Sequence, residues 1–313
     1  MKQYDILVAG ELNPDLILSG SDVTPRFGQG EILVENAALT IGSSAAIFAI
    51  AVAKLGLQVG LVGVVGNDHF GQFMLEGLED HGVHVSPVIV DDDLQTGLSV
   101  ILSRRTDRAI LTYSGAISKL RAEQITDDLL ARSRHLHVAS YFLQIDLQPG
   151  LPDLLRRARS QGLTTSLDTN WDPEETWGPE LSAVYPQIDV LLPNAREAKF
   201  LGRGKDWQEG ARALSGQGPI VVVKRGADGA VAVTGNELIQ VDAIETEVVD
   251  TTGAGDNFDA GFLYGYLAGW PLERSLKVAV ACGSLSAQAV GGTGHQAGLE
   301  EALWAAGLDQ QHP

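Results

Sequence analysis

The sequence predicts an α/β fold: a mainly parallel sheet covered by helices on both faces, with a small β-rich flap added to it. Three observations carry this. Apolar, β-branched runs alternate with runs of helical period along the chain. The runs that read as strands are almost continuously apolar, as strands buried on both faces are. Two stretches, 12–40 and 94–113, break the alternation and lack strong helical periodicity. The 313 residues, 44% of them hydrophobic, suffice for one large core. Residues 1–313 are therefore expected to form a single domain with the flap inserted in it.

The elements follow in order. MKQYDILVAG (1–10) reads as a strand; it lacks the long apolar stretch and cleavage site of a signal peptide. The alanine-rich run 45–53 is too short to span a bilayer and is followed by Lys54. QVGLVGVV (58–65) reads as a strand and HFGQFMLEGLEDHG (69–82) as a helix. TGLSVILSRRTDRAILTY (96–113) reads as two strands around a charged loop, a hairpin. RHLHVAS (134–140), LTTSLD (163–168) and IDVLLP (188–193) read as strands, with helices at 149–162 and in NAREAKFLG (194–202). PIVVVKRG (219–226) and AVAVT (230–234) are strands around an Ala-Asp-Gly turn, and two helices, roughly 254–268 and 272–289, close the chain.

Composition excludes several classes. The net charge is −18 and no Lys/Arg-rich stripe is present, which argues against a nucleic-acid or anionic-membrane surface. A small phosphate ligand stays open, because backbone N–H groups and a metal hold one without a basic patch. The single cysteine, Cys282, rules out an intrachain disulfide or a thiolate metal cluster and reads as a small buried residue. These features imply a soluble, cytoplasmic protein.

The densest motif is VVDTTGAGDNFDAGFLYGYLAG (248–269). A β-branched run ends at Asp250, glycines 253 and 255 flank one alanine, and Asp256 stands at the mouth of a helical run. An aspartate and glycines there suit an N-cap and a turn. They also suit chemistry: a helix N-terminus binds anions through bare N–H groups, and a carboxylate beside it is placed to take a proton from a group attacking that anion. Gly253, Ala254, Gly255 and Asp256 are the first candidate residues. The glycines of GLVGVVGNDHFG (60–71) invite a dinucleotide reading, but their spacing is G-x-x-G-x-x-G and no acidic ribose partner follows, so a nicotinamide dehydrogenase is a weak alternative.

DTTGAGDNFDAGF (250–262) resembles the C-terminal signature of the ribokinase-like (PfkB) carbohydrate kinases, D-T-x-G-A-G-D-x-F-x-A-G, at every position. The resemblance implies a ribokinase-like three-layer core with a small β lid formed by about 12–40 and 94–113. It implies transfer of the γ-phosphate of Mg-ATP to an alcohol, with Asp256 as general base and the 253–256 backbone as anion hole. GELNPDLIL (10–18) resembles the family's G-x-x-N-x-D and implies Asn13 and Asp15 as substrate ligands, where local chemistry alone gives an Asn-Pro-Asp turn. TIGSSAAIFAIAVAKLG (40–56) resembles its first signature, with Gly42 and Ser43 on the substrate side. Two positions depart: Ser43 replaces a glycine and Ile47 an asparagine, which puts the substrate in doubt. PNAREAKFL (193–201) implies Asn194 beside the nucleotide and Glu197 at Mg2+ through water; an N-capped helix is the plain alternative. VVVKRGADGA (221–230) implies Lys224, Gly226 and Gly229 as nucleotide contacts, and the run 282–294 as the border of the adenine. Thr252 joins them, and Asp250 is implied as a metal residue; relatives suggest a monovalent cation such as K+ beside these two. In SLDTNWDP (166–173), Asp168 and Asn170 end a strand where open α/β sheets build sites. The basic residue usual after them is replaced by Asp172. His135 and His137 share a strand face and read as structural.

A sugar kinase is the leading reading. A nucleoside kinase of the same family, favoured by Ile47, and a non-catalytic sugar or nucleotide sensor are the alternatives. No arginine is obviously placed for a sugar acid's carboxylate, though Arg104, Arg105 and Arg108 of the hairpin could reach one. Exposed lid edges imply a homodimer.

Overall fold

The computed structural model describes residues 2–28, 30–104 and 107–308, so Arg105 lies outside the described residues. The strands are β1 (Tyr4–Ala9), β2 (Pro14–Ser19), β3 (Asn36–Ile41), β4 (Val59–Val62), β5 (Val64–Gly66), β6 (Ile89–Asp91), β7 (Leu98–Arg104), β8 (Asp107–Tyr113), β9 (Ser133–Val138), β10 (Thr164–Leu167), β11 (Val190–Leu191), β12 (Ile220–Lys224), β13 (Ala230–Thr234) and β14 (Glu237–Val241). The helices are α1 (Ser44–Lys54), α2 (His69–Asp80), α3 (Asp127–Ala131), α4 (Leu151–Ser160), α5 (Ala195–Leu201), α6 (Trp207–Ser215), α7 (Ala254–Leu267), α8 (Leu272–Ser286) and α9 (Leu299–Ala305).

Eight strands form the main sheet in the order β14-β13-β12-β11-β10-β9-β1-β4. The six from β12 to β4 are parallel; β13 and β14 close the edge antiparallel. The period-2 alternation of a strand sends its side chains into two cores. Ile6 and Val8 of β1 enter one core with Phe48, Phe262 and Leu276 of α1, α7 and α8. Leu7 and Ala9 enter the other with Leu154 and Leu214 of α4 and α6. The result is a three-layer α/β/α sandwich, as the near-continuous apolar strands require.

The breaks in the alternation become a second sheet. Residues 14–41 and 98–113 supply four strands in the order β3-β2-β7-β8. Its register separates two chemistries. Thr40, Asp15, Ser99 and Thr112 lie in one row across the sheet, and Leu39, Leu16, Val100 and Leu111 in the next. Neighbouring positions face opposite ways, so one face carries the hydroxyls and the carboxylate, with the aliphatic row Ala38, Ile17, Ile101 and Ile110 beside them, and the other is led by an aliphatic stripe.

Three details differ from the sequence reading. The run 58–65 is two strands: after β4, residues Val64–Gly66 leave the main sheet and pair with β6. The helix expected to reach 289 stops at Ser286, and a third helix, α9, follows it. IDVLLP contributes only a two-residue strand, because Pro193 has no N–H to continue a ladder and Asn194 caps the next helix.

Candidate active site

Because β1 and β9–β12 are parallel, the residues that follow them emerge at one edge of the sheet, where such sheets place their sites. Glu11 and Asn13 follow β1, Ser140 follows β9, Asp168 and Asn170 follow β10, Asn194 follows β11, and Lys224 ends β12. The signature turn and the first turn of α7 meet them there.

Gly253 caps α7 in the left-handed region (φ 72°). A Cβ at this position would lie 2.5 Å from Gly292 Cα, so both the conformation and the close approach require glycine. Asn257 clamps the turn, its Nδ2 donating to Gly253 O at 2.8 Å and Gly292 O at 3.1 Å. The N–H groups of a first helical turn lack intrahelical acceptors. Here they belong to 254–256, of which Ala254 reaches back to Thr251 O at 3.3 Å. Burial pushes the Asp256 carboxyl well above its usual range; the Asp168 charge adds to this, and Lys224 and the Ser44 hydroxyl oppose it. A carboxyl so tuned is a better base near neutral pH than a free aspartate.

On one side of Asp256 is a cavity of about 520 Å³, lined among others by Lys224, Gly226, Gly229, Ala254, Gly255 and Phe258. Gly283, Ser284 and Ala287 of the 282–294 run also line it. The residues of the N-terminal motifs form a second polar group, which Ser43 joins to Glu11 after β1. Asn13 donates to Ser99 Oγ at 3.2 Å and Asp15 Oδ1 at 3.4 Å. Burial raises the Asp15 carboxyl to about 7, and the Glu11 charge contributes. Gly42 is fixed by Asp15: an added Cβ would lie 2.1 Å from its Oδ1. Ser43, standing where a glycine is usual, adopts φ 70° and compensates with its hydroxyl. Its Oγ donates to Glu11 O at 2.6 Å and accepts from Ala46 N at 3.0 Å as the N-cap of α1.

Several expected ligands already have protein partners. Lys224 is buried, its Nζ donating to Asp168 Oδ2 at 2.8 Å and to Asp259 Oδ2 at 3.0 Å. Burial alone would lower its pKa; Asp168, Asp259 and Glu197 outweigh that and raise it. Its charge is thus matched inside the protein, beside the cavity rather than free within it. Asn194 and Glu197 form a complete capping box, with Asn194 N and Nδ2 on the two Glu197 oxygens at 2.8 and 2.6 Å. Burial raises Glu197 to about 7, with Asp168 adding to the shift. Asp250 accepts from Thr252 N and Oγ1 through Oδ1 and from Gly291 N through Oδ2. Arg108 of β8 reaches the same turn, 2.6 Å from Thr252 Oγ1 and 3.8 Å from Asp250.

Ile47 is buried under Gly253 and Gly292, where added Cβ atoms would meet its side chain at 3.0 and 2.3 Å. The residue that stands where asparagine is usual thus packs against the signature turn. His135 and His137 bond Thr164 and Ser166, and burial lowers both to about 3, neutral at any physiological pH. The sequence reading missed Glu11, Ser44, Ser140 and Asp259. Glu11 had one signal, its place between Gly10 and Asn13; Asp259 sits at a free position of the signature, and the serines had none.

Among the described residues, no group of three or more His, Cys, Asp or Glu side chains is arranged to hold a metal. That donor set fits a Mg2+ carried on nucleotide phosphates and approached through water by Glu197, since Mg2+ commonly keeps most of its waters. It does not fit a protein cage.

The chain is similar to several known proteins. A 5-dehydro-2-deoxygluconokinase from Geobacillus kaustophilus (strain HTA426) is 30% identical over 261 residues, 78% of each chain. An ATP-dependent 6-phosphofructokinase from Thermoanaerobacterium thermosaccharolyticum is 25% identical over 93% of this chain and 90% of its own. The solved E. coli structure described as a Ribokinase II in complex with ATP and Mg2+ superposes with a TM-score of 0.85 at 25% identity, covering 99% of this chain and all of that one. The pfkB family carbohydrate kinase model matches residues 3–297, and the chain belongs to that family of sugar-phosphorylating phosphotransferases.

Proposed function

We propose that the protein transfers the γ-phosphate of Mg-ATP to a hydroxyl of a sugar or sugar acid held between Asp256 and the second sheet. The observation that carries this is the position of Asp256. It stands in the first turn of α7, next to Ala254 and Gly255 of the cavity wall, with Lys224, Asp168, Glu11 and Ser44 close enough to act on its carboxyl. ATP occupies the cavity with its γ-phosphate toward the first turn of α7. The N–H groups of Gly253–Gly255 and the helix dipole take up charge on the phosphoryl group. Asp256 accepts the proton of the attacking hydroxyl while Asn13 and Asp15 orient the acceptor. When bound, Mg2+ neutralises polyphosphate charge.

The second sheet acts as a lid. Its hydroxyl-bearing face is turned to Asn13, and Arg108 joins it to the signature turn. Closure excludes water and so limits hydrolysis of ATP. Its aliphatic face, with Leu39 42% and Leu111 60% exposed, is a fitting contact for the same face of a second copy; sedimentation of the purified chain tests this dimer. Among the described residues no helix is long and apolar enough to cross a membrane, and a cytoplasmic enzyme drawing on ATP is the reading adopted. Activity measured in K+ against a large organic cation tests whether Asp250 and Thr252 serve a monovalent ion.

The deciding experiment is a coupled ADP-release assay with Mg-ATP and a panel of acceptors: fructose, fructose 6-phosphate, ribose, 2-keto-3-deoxygluconate, 5-dehydro-2-deoxygluconate and adenosine. Turnover on a sugar or sugar acid is expected, and Asp256→Asn should lower kcat by about 10²–10⁴ with the fold intact. Turnover confined to adenosine, or an Asp256→Asn enzyme as fast as wild type, overturns the reading.

A further inference from the structure

Four polar side chains run behind Asp256, and the transfer step above employs none of them. Glu11 Oε1 accepts from Ser44 N at 2.7 Å and from Ser140 Oγ at 2.9 Å. Asn170 Nδ2 lies 2.7 Å from Ser44 Oγ and 2.9 Å from Ser140 Oγ. The Ser44 hydroxyl in turn acts on the Asp256 carboxyl, favouring its charged form. Two carboxyl groups thus bracket two serines with one amide between them.

The ends of this chain fix the direction of every hydrogen in it. Burial raises Glu11 as it does Asp256; above both midpoints the two are ionised, and an ionised carboxylate only accepts. The Ser140 hydroxyl therefore donates to Glu11, and the Ser44 hydroxyl to Asp256. Each serine oxygen is then free only as an acceptor, and the group between them must donate twice. An asparagine NH2 does so; an aspartate at 170 has no hydrogen to give and a serine only one. The backbone is shaped for the purpose. Ser140 and Asn170 both sit in the left-handed region, at φ 53° and 56°, a conformation uncommon for residues other than glycine. Asp168 Oδ1 holds the Asn170 N–H at 2.9 Å, which fixes the loop from which the amide projects.

We propose that Ser44 and Asn170 are positioning residues for Asp256: Asn170 turns the Ser44 hydroxyl so that its proton points at the Asp256 carboxylate, and Glu11 anchors the far end through Ser140. The proposal rests on the reading of Asp256 as the base. Ser44 steadies the charged carboxylate and leaves it open to the acceptor hydroxyl. The charged groups facing Asp256 are Asp168 after β10, Lys224 at the end of β12 and Glu11 after β1. Losing the Ser44 hydroxyl removes a donor to the charged form and leaves these three unchanged.

The test reads the titration of Asp256 itself and needs no acceptor. The chain is labelled with carboxyl-13C aspartate, and the Asp256 resonance is assigned by its loss in Asp256→Asn. Ser44→Ala keeps the N–H that Glu11 binds and should raise the Asp256 midpoint by about one pH unit, the scale of one hydrogen bond to a charged group. Ser44→Thr should restore it. Asn170→Gly, compatible with the positive φ, should raise it in the same direction. The double variant Ser44→Ala/Asn170→Gly should move it no further than Ser44→Ala alone, because Asn170 acts through Ser44. An unmoved midpoint in Ser44→Ala, or shifts of the two variants that add, overturns the proposal. Failure of the base is a separate result: Asp256→Asn would then turn over at the wild-type rate in the ADP-release assay, whatever the titration shows.

Discussion

Lys224→Met separates two uses of a buried ammonium group. Methionine preserves the unbranched stem and most of the volume and removes the charge. In the wild type Nζ lies between Asp168 and Asp259, whose side chains are 6% and 1% exposed. Without it, two buried carboxylates face each other with no cation between them. Removing one partner of such a group costs about 3–5 kcal/mol. In a chain of this size each kcal/mol moves Tm by roughly 2 °C, so Tm should fall by about 6–10 °C at pH 7. The pH dependence has a definite sign. The folded pKa of Asp168 is held below its unfolded value of about 3.9, so its contribution is present above that value and lost as pH falls through the folded pKa. The folded pKa of Lys224 is raised, so its contribution is full below about 10.4 and lost only at higher pH. Between pH 5 and 7 the wild type keeps both; Asp259, which burial raises, has the opposite sign and favours the fold as pH falls in wild type and variant alike. The variant carries unscreened carboxylates that take up protons as pH falls, so its deficit should shrink from pH 7 to pH 5. Scanning fluorimetry at pH 5, 6 and 7 reads this directly. The triple variant Asp168→Asn/Lys224→Met/Asp259→Asn should recover most of the loss, since no charge is left unpaired. A Lys224→Met protein that melts within 2 °C of wild type at pH 7, yet binds ATP poorly, would refute the reasoning and return Lys224 to a direct phosphate contact.

Gly42→Ala should raise the acceptor KM at least tenfold with little change in the ATP KM, because its Cβ would displace the Asp15 carboxyl from 2.1 Å; initial-rate kinetics with each substrate varied decide it. Ser43→Gly should leave Tm within about 3 °C of wild type. Relief of a strained φ, about 1–3 kcal/mol, opposes loss of the N-cap, about 1 kcal/mol. Because burial raises the Asp256 carboxyl and the base must be ionised, kcat should climb through an acid limb centred well above pH 4. A kcat already flat at pH 4.5 would count against Asp256 as the titrating group.

The fold was legible in the sequence because strands such as YDILVA and IVVVK are apolar at almost every position, which only a sheet covered on both faces accommodates. The second sheet was legible as an interruption, since neither half of 12–40 or 94–113 carries a helical period. Asp256 and its glycines were legible through local order, a turn followed at once by a carboxylate. What stayed hidden depends on distance in sequence. Ser140 and Glu11 are 129 residues apart, Asn170 and Ser44 126, and each is an ordinary polar residue in its own neighbourhood. Lys224 illustrates the same limit. Its position at the end of a sheet strand was readable, but not the two carboxylates that occupy it, because Asp259 looks like a solvated helix position until the helix is packed. The packing of Ile47 against Gly253 and Gly292 was equally hidden, since Gly292 lies far along the chain from it.

Arg108 has a consequence for how the acceptor enters. Its guanidinium is the hydrogen-bonded link from β8 to Thr252, it is 41% exposed, and its approach to Asp250 is 3.8 Å. A contact of that kind stabilises by about 0–1 kcal/mol. On that scale Arg108 by itself biases β8 toward the turn by no more than about fivefold. The firm hold on the second sheet lies elsewhere, in the Asn13 bond to Ser99 and in the buried Ile17, Ile41 and Ile101, so the β8 end is the part of the sheet held most weakly. On the proposed function, an acceptor contacting both β8 and the signature turn would need only a few kcal/mol of preference for the joined state to hold that end closed.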